Sequence, residues 1–354
     1  MLPSKFSSLV SLKKVNRLLK YPTVLSSLYC LSTTSQYSGR YCGGVVSAAA
    51  MMMTMSTTTT TTNNTNQKTK KKPIVAIGQL TSTSCKLTNL LNIATCAKSA
   101  KVDGACMLFL PECFGFIGEN SQQTLDNAEP KPIPAVPIVE NNSNDNKDNN
   151  GSTLLSAAIV NEQSITDALI QRIRGDDNDD NGQKVQVNNN NVVSDVDETK
   201  TISLLDGLQT IAKESNLWIS GGGIHILADN DDSDDDSTIQ KVYNTHVIVD
   251  NLGSIQCLYN KIHLFDVSIP GKVELYESKT TKPGTKLVIC NNSPIGIPLG
   301  LSTCYDLRFP EIYTKLVQKN GGGNAQILLV PSAFTVPTGI AHWHTLLQGK
   351  WGGG

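Results

Sequence analysis

Three residues of this chain could together attack a carbonyl group: Glu112, Lys261 and Cys304. Each follows an apolar run that reads as a strand. Glu112 closes "LFLPE", Lys261 follows "IQCLYN", and Cys304 follows "PLGLST". A thiolate is a strong nucleophile, and a nearby cation or a helix N-terminus lowers the thiol pKa enough to form it. Lys261 would supply the cation and Glu112 a proton shuttle. The helix that begins near Pro310 would aim its positive end towards Cys304. Singly, each residue has an ordinary explanation: a surface or capping carboxylate, a solvated lysine, a buried and inert thiol. Their shared position at strand ends is what points to chemistry, because a rigid sheet holds such groups while loops admit substrate.

Strands are therefore required, and the sequence supplies them. "PIVAIGQL" from Pro73 is apolar on both faces, as a strand buried between layers must be. A helix is expected over 88–101, followed by the strand "CMLFLPE". "ISLLDGLQTIAKESN" carries helical spacing at Leu204, Leu205, Leu208, Ile211 and Ala212. "LWISGGGIHI", "VYNTHVIVD", "SIQCLYNK", "KLVICN" and "IGIPLGLSTC" read as strands. "FPEIYTKLVQK" reads as a helix with Pro310 near its first position, and "AQILLVPS" as one more buried strand. Strands that alternate with helices and strands that follow one another in hairpins together indicate a mixed, layered α/β domain.

Polar tracts interrupt this pattern. Of the 354 residues 39% are hydrophobic, and the net charge of −1 gives no reason to expect nucleic acid. The first 72 residues contain no Asp or Glu, the first acidic residue being Asp103. Leu9, Leu12, Val15, Leu18 and Leu19 fall near one helical face, with Lys13, Lys14 and Arg17 elsewhere, as in an organellar transit peptide. An upstream extension would look the same, so the location is left as mitochondrial or cytoplasmic. Residues 51–72 are low-complexity, and all of 1–72 is expected to be disordered. Two solvated insertions are expected within the domain at 73–348, one at about 131–200 and an acidic loop at 228–237. The first holds one short helix-like piece, "LIQRIR". The nine cysteines form no C-x-x-C pair and read as reduced thiols without a zinc site. No apolar run reaches the length of about 18 residues that a membrane span needs.

"FLPECFGFIG" (109–118), "YNKIHLFDVSIPG" (259–271) and "GLSTCYDLRFPE" (300–311), in that order, resemble the three signature segments of the nitrilase-like carbon–nitrogen hydrolase superfamily. "VPSAFTVPTGIAHWHTLL" (330–347) continues the resemblance. "RFPE" with "PSAFT" is similar to the deaminated glutathione amidase branch, and "FDVSIPGKVELYESKTTKPG" also looks like the ω-amidase branch. The resemblance implies a four-layer α-β-β-α sandwich and a catalytic triad of Glu112, Lys261 and Cys304, with Glu277 in support. It implies that the Tyr305 backbone N–H joins Lys261 in an oxyanion site. The implied reaction passes through a thioester and releases ammonia and a carboxylic acid, with no cofactor and no metal. A homodimer is implied, with a small amide as the other partner. Arg308 and Thr335 are candidates for gripping the carboxylate end of a keto-acid amide, although Arg308 could instead pair with Asp306 or Glu311.

The chain departs from the family pattern at its end. Relatives continue with a further helix and strands, His344 stands where a glutamate is usual, and 349–354 close on a glycine-rich tail. A truncated sandwich is therefore expected, which leaves a catalytically dead remnant of the fold as an alternative to the enzyme.

Overall fold

The computed structural model describes residues 27–28, 45–53, 73–132, 165–169, 171, 203–229, 240–270 and 273–349. The remainder of the N-terminal 72 residues, the acidic loop beyond Asp229 and the tail after Gly349 lie outside them.

Two five-stranded sheets lie face to face. The first contains β3 (Val75–Ile77), β4 (Met107–Phe109), β5 (Trp218–Leu227), β6 (Val242–Val249) and β7 (Ile255–Asn260), in that order. Its pairs β3–β4 and β4–β5 are parallel, and β5–β6–β7 is an antiparallel run. The second sheet has the order β1 (Ser27–Leu28), β2 (Val45–Met53), β12 (Ile327–Thr335), β11 (Leu299–Leu301), β10 (Ile289–Cys290). A separate two-stranded ribbon, β8 (Asp266–Ile269) and β9 (Val273–Tyr276), follows β7.

Strand alternation sorts the side chains into three cores. Met107 and Phe109 of β4 face inwards with Val75, Ile77, Ile248 and Tyr259, meeting Leu299, Leu301, Ile327 and Leu329 of the other sheet. Leu108 and Leu110 point outwards, under α1 (Lys86–Val102) and α3 (Leu204–Ser215). On the far side Leu328 and Val330 point outwards under α4 (Pro310–Val317) and α5 (Val336–Gly349), with Trp343 and Leu347. Burying each such side chain contributes about 1.5–3 kcal/mol. Helix, sheet, sheet and helix make the four expected layers.

Local chemistry fixes the outer helices. Leu90, Ile93, Ala94 and Ala97 form the buried stripe of α1, and Gly207 of α3 admits Leu90 so closely that a Cβ there would lie 2.6 Å from its methyl. Ser203 caps α3 by accepting the Asp206 N–H at 3.1 Å, and Asn216 ends it in the left-handed region at φ 49°. A short helix, α2 (Ser121–Asp126), follows the Glu112 loop and is capped by Asn120.

Two expectations are corrected. Structure does not wait for Pro73: Val45–Met53 pairs antiparallel along the whole of β12, with Val330 opposite Ala50. "VVSAAAMMM" has no charge and no proline, so its backbone groups can be satisfied on that open strand. The 131–200 segment is likewise not wholly solvated. Residues 165–169 and 171 are helical, starting four residues before the expected piece and overlapping it, and Ile165 and Leu169 are buried against the α1–α3 layer. They stand four apart, which places both on one helical face.

Candidate active site

The site is assembled from both sheets. Glu112 lies three residues beyond β4, Lys261 directly follows β7, and Cys304 lies three residues beyond β11. Room for them comes from the glycine run of β5. A Cβ on Gly222 would meet Pro331 and the Pro111 carbonyl, and one on Gly223 would meet Asn244 and Glu112. The run coincides with a β-bulge between Gly221 and Ile224, a usual device beside functional sites.

Lys261 is buried with its ammonium between two carboxylates, 3.1 Å from Glu112 Oε1 and 2.9 Å from Glu277 Oε2. Glu277 reaches it from a single 3₁₀ turn (Glu277–Lys279) that follows the ribbon. Asn244 of β6 donates to both acids, at 3.0 Å to Glu112 and 3.2 Å to Glu277. The Ala333 N–H of β12 donates to Glu112 Oε2 at 3.0 Å, tying the carboxylate to the second sheet. The Phe265 N–H donates to Glu277 Oε2 at 2.7 Å. An ammonium has three N–H donors, and among the described residues the two acids engage two of them.

Burial works against the charge of Lys261, but the Glu112 and Glu277 carboxylates, with Cys304, more than offset it and hold its pKa well above the usual lysine value. Burial likewise pushes the Glu277 carboxyl up, yet Lys261 and the Phe265 N–H prevail and leave it lowered.

Cys304 departs from expectation in one respect. Burial, then the negative charge of Glu112, raise its pKa well above the ordinary thiol value, and the positive charge of Lys261 only partly opposes them. Burial and the Glu112 charge therefore favour the thiol form of the resting sulfur. The helix expected near Pro310 does start there as α4, with a 3₁₀ turn (Cys304–Arg308) between it and the sulfur. At the start of that turn Cys304 has φ 46°, left-handed backbone that costs about 1–3 kcal/mol in a non-glycine residue and marks functional turns.

The other expected residues divide. The Tyr305 N–H has no acceptor among the described residues and directly follows the nucleophile. Arg308 ends the same turn half-buried, its guanidinium 5.7 Å from the centre of the Tyr305 ring. It makes no ion pair with Asp306 or Glu311, so the alternative of a structural pair is set aside. Thr335 is exposed at the end of β12, and its hydroxyl donates to Thr338 at 2.9 Å rather than to the other candidates.

Sequence reasoning missed Asn244, Ala333, His225 and His246. His225 pairs across β5–β6 with Asn244, and burial pushes its pKa down to about 4 within the field of Glu277 and Lys261. A buried asparagine or histidine within an apolar strand needs partners, and that was the available signal. His246 is fully buried between the sheets, its Nδ1–H donating to Ser302 O at 3.1 Å and its Nε2 accepting from the Ser220 hydroxyl at 2.7 Å.

Burial holds the His246 pKa at about 4, against 6.5 for the free side chain. Its stabilising contribution is therefore complete above pH 6.5 and is lost as the pH falls towards 4, because only the unfolded chain takes up the proton. The thermal midpoint is expected to fall across that window, with about one extra proton bound on unfolding for each of His246 and His225. A His246→Asn variant, which cannot titrate there, loses that part of the slope.

Comparison with known proteins agrees with this geometry. Residues 187–352 match the carbon-nitrogen hydrolase family. The deaminated glutathione amidase of Bos taurus is 33% identical over 281 residues, covering 78% of this chain and 61% of that protein. That of Dictyostelium discoideum is 50% identical over 150 residues, covering 42% of this chain and 47% of its own length. The C. elegans NitFhit structure is 30% identical, covering 78% of this chain and 47% of its own, with a TM-score of 0.48. The chain thus spans less than two thirds of the length of these relatives. The family match includes Lys261, Glu277 and Cys304, and the longer alignments reach across most of the chain. Residues 187–352 thus carry a carbon-nitrogen hydrolase domain match, and over 78% of its length the chain is similar to the deaminated glutathione amidase of Bos taurus.

Proposed function

We propose that this chain hydrolyses the C–N bond of a small, non-peptide amide, with Cys304 as nucleophile. The observation that carries the reading is the buried Lys261 ammonium held 3.1 Å from Glu112 and 2.9 Å from Glu277, with the Cys304 thiol within the field of Lys261 and Glu112. As Cys304 attacks the carbonyl carbon, Glu112 takes the thiol proton, so no charge is created or lost in the pocket. The third Lys261 N–H and the Tyr305 N–H stabilise the oxyanion. Glu112 then protonates the departing nitrogen and leaves a thioester. It next takes a proton from water, which attacks the thioester; the carboxylic acid departs and the thiol is restored. Glu277 and Asn244 keep the ammonium charged and aimed.

The substrate class proposed is the amide of an α-keto acid, with deaminated glutathione foremost. The names of the relatives and the state of Arg308 support it. A guanidinium on the same turn as the nucleophile, with no carboxylate in ion-pair contact among the described residues, can hold the carboxylate of a substrate in two parallel hydrogen bonds. Purified full-length protein is expected to hydrolyse deaminated glutathione or α-ketoglutaramate. Arg308→Lys should raise KM for these about tenfold or more, the scale of a lost charge-assisted pair, and leave KM for a neutral amide within about twofold. Equal effects on both substrates, read from initial rates, would remove Arg308 from the binding site.

A further inference from the structure

Asp306 stands out among the buried groups that the proposed reaction does not use. It is fully buried, on the same turn as Cys304. Its Oδ2 accepts from the Tyr259 hydroxyl at 2.7 Å and the Thr303 N–H at 2.9 Å. Its Oδ1 accepts from the His263 N–H at 3.0 Å and from His263 Nδ1–H at 2.8 Å. A carboxylate offers about four lone-pair positions, and here four donors fill them.

The origins of the donors give the cluster its meaning. Thr303 is the residue before the nucleophile, in the sheet of β11. Tyr259 and His263 stand two residues before and two after Lys261, at the end of β7 in the other sheet. The Tyr259 hydroxyl also accepts the Ile262 N–H at 3.3 Å, which closes the lysine loop on itself. The His263 ring stacks on Phe309 at 3.6 Å and 8°, immediately before α4. One side chain thus fastens the lysine loop to the nucleophile turn from both ends. The left-handed backbone of Cys304 persists only if its surroundings over-determine it, and these bonds on Thr303 and Asp306 bracket it.

We infer that Asp306, with His263, is a positioning residue that joins the Lys261 loop to the Cys304 turn and sets the distance between ammonium and sulfur. The inference rests on the proposed nucleophilic role of Cys304. Asparagine at 306 would set an NH₂ against two of the four donors, so one side of the clamp must open. Misplacement by about 1 Å is enough to lower a rate a hundredfold.

The test uses the full chain and two readouts, amide turnover and the rate at which iodoacetamide alkylates Cys304, located by peptide mass spectrometry. Asp306→Asn is expected to lower kcat about a hundredfold with KM changed less than about threefold, and to slow Cys304 alkylation about tenfold or more. His263→Phe keeps the stack on Phe309 and removes only the Nδ1–H, so it should fold as the parent does and lower both rates about tenfold. It decides the matter if the asparagine variant fails to fold. Folded variants whose alkylation and kcat both stay within about threefold of the parent would overturn the inference, since a residue that only stabilises would lower the melting midpoint alone. If the parent hydrolyses no amide and the variants still slow alkylation, the clamp stands and the proposed hydrolysis falls.

Discussion

Cys304→Ala is expected to reduce amide hydrolysis by this chain at least about 10⁴-fold, because removing a covalent nucleophile leaves only binding and oxyanion stabilisation to act. The sulfur is one heavy atom in a turn held by Asp306, Glu112 and the ends of β11 and β12, so the variant should fold like the parent. Substrate should still bind, because Arg308 and Lys261 are untouched, and an unreacted amide should saturate the pocket with an affinity close to the parent KM. The measurement is a single-turnover assay beside a binding titration. Residual turnover above about one per cent would place the nucleophile elsewhere. The free parent enzyme should also show the protonated thiol directly: its Cys304 alkylation rate keeps rising as the pH is taken through and beyond the usual cysteine range, since burial and Glu112 hold the proton on sulfur.

The proposed catalytic triad was legible in the sequence because each of its members closes a strongly apolar strand, and strand ends are where a rigid sheet delivers side chains. Glu112, Lys261 and Cys304 were named from "LFLPE", "LYNK" and "LSTC", and Glu277 from the family resemblance alone; the structure sets Lys261 between the two glutamates and within the field of Cys304. The helical stripes of α1 and α3 were legible for the same reason, since apolar residues at helical spacing must bury one face. What was not legible depends on pairs distant in sequence. Asn244 reads as an ordinary strand residue until Glu112 and Glu277, 132 and 33 positions away, meet it. Asp306 reads as a loop acid until Tyr259 and His263 arrive from the other sheet. The charge state of Cys304 was misjudged for a related reason. The motif shows a lysine and an oncoming helix, both of which favour thiolate, but hides the burial and the adjacent carboxylate that outweigh them. Val45–Met53 was missed because a small, methionine-rich run has no alternation to betray a strand, and only the open side of β12 gives it a place.

That balance of charges around the sulfur leads to the second large effect. Glu112→Gln keeps the size of the side chain and one carbonyl oxygen for Lys261 or Ala333, but it can neither receive the thiol proton nor deliver it to the departing nitrogen. Turnover should fall about 10²–10⁴-fold, the usual contribution of a positioned acid–base group. The thiol itself should respond in the opposite sense. In the parent, burial and then the charge of Glu112 raise the Cys304 pKa, and Lys261 lowers it. The neutral amide removes the Glu112 charge and leaves Lys261, so the thiol pKa falls and more thiolate is present at neutral pH. Alkylation of Cys304 by iodoacetamide at pH 7 should therefore be faster than in the parent while hydrolysis is nearly lost. A Glu112 that served only to hold the loop would give a different result, with both rates falling together as the turn loosened. The opposed signs make the role of Glu112 as proton carrier testable in one sample, and parallel losses in the two rates would refute it.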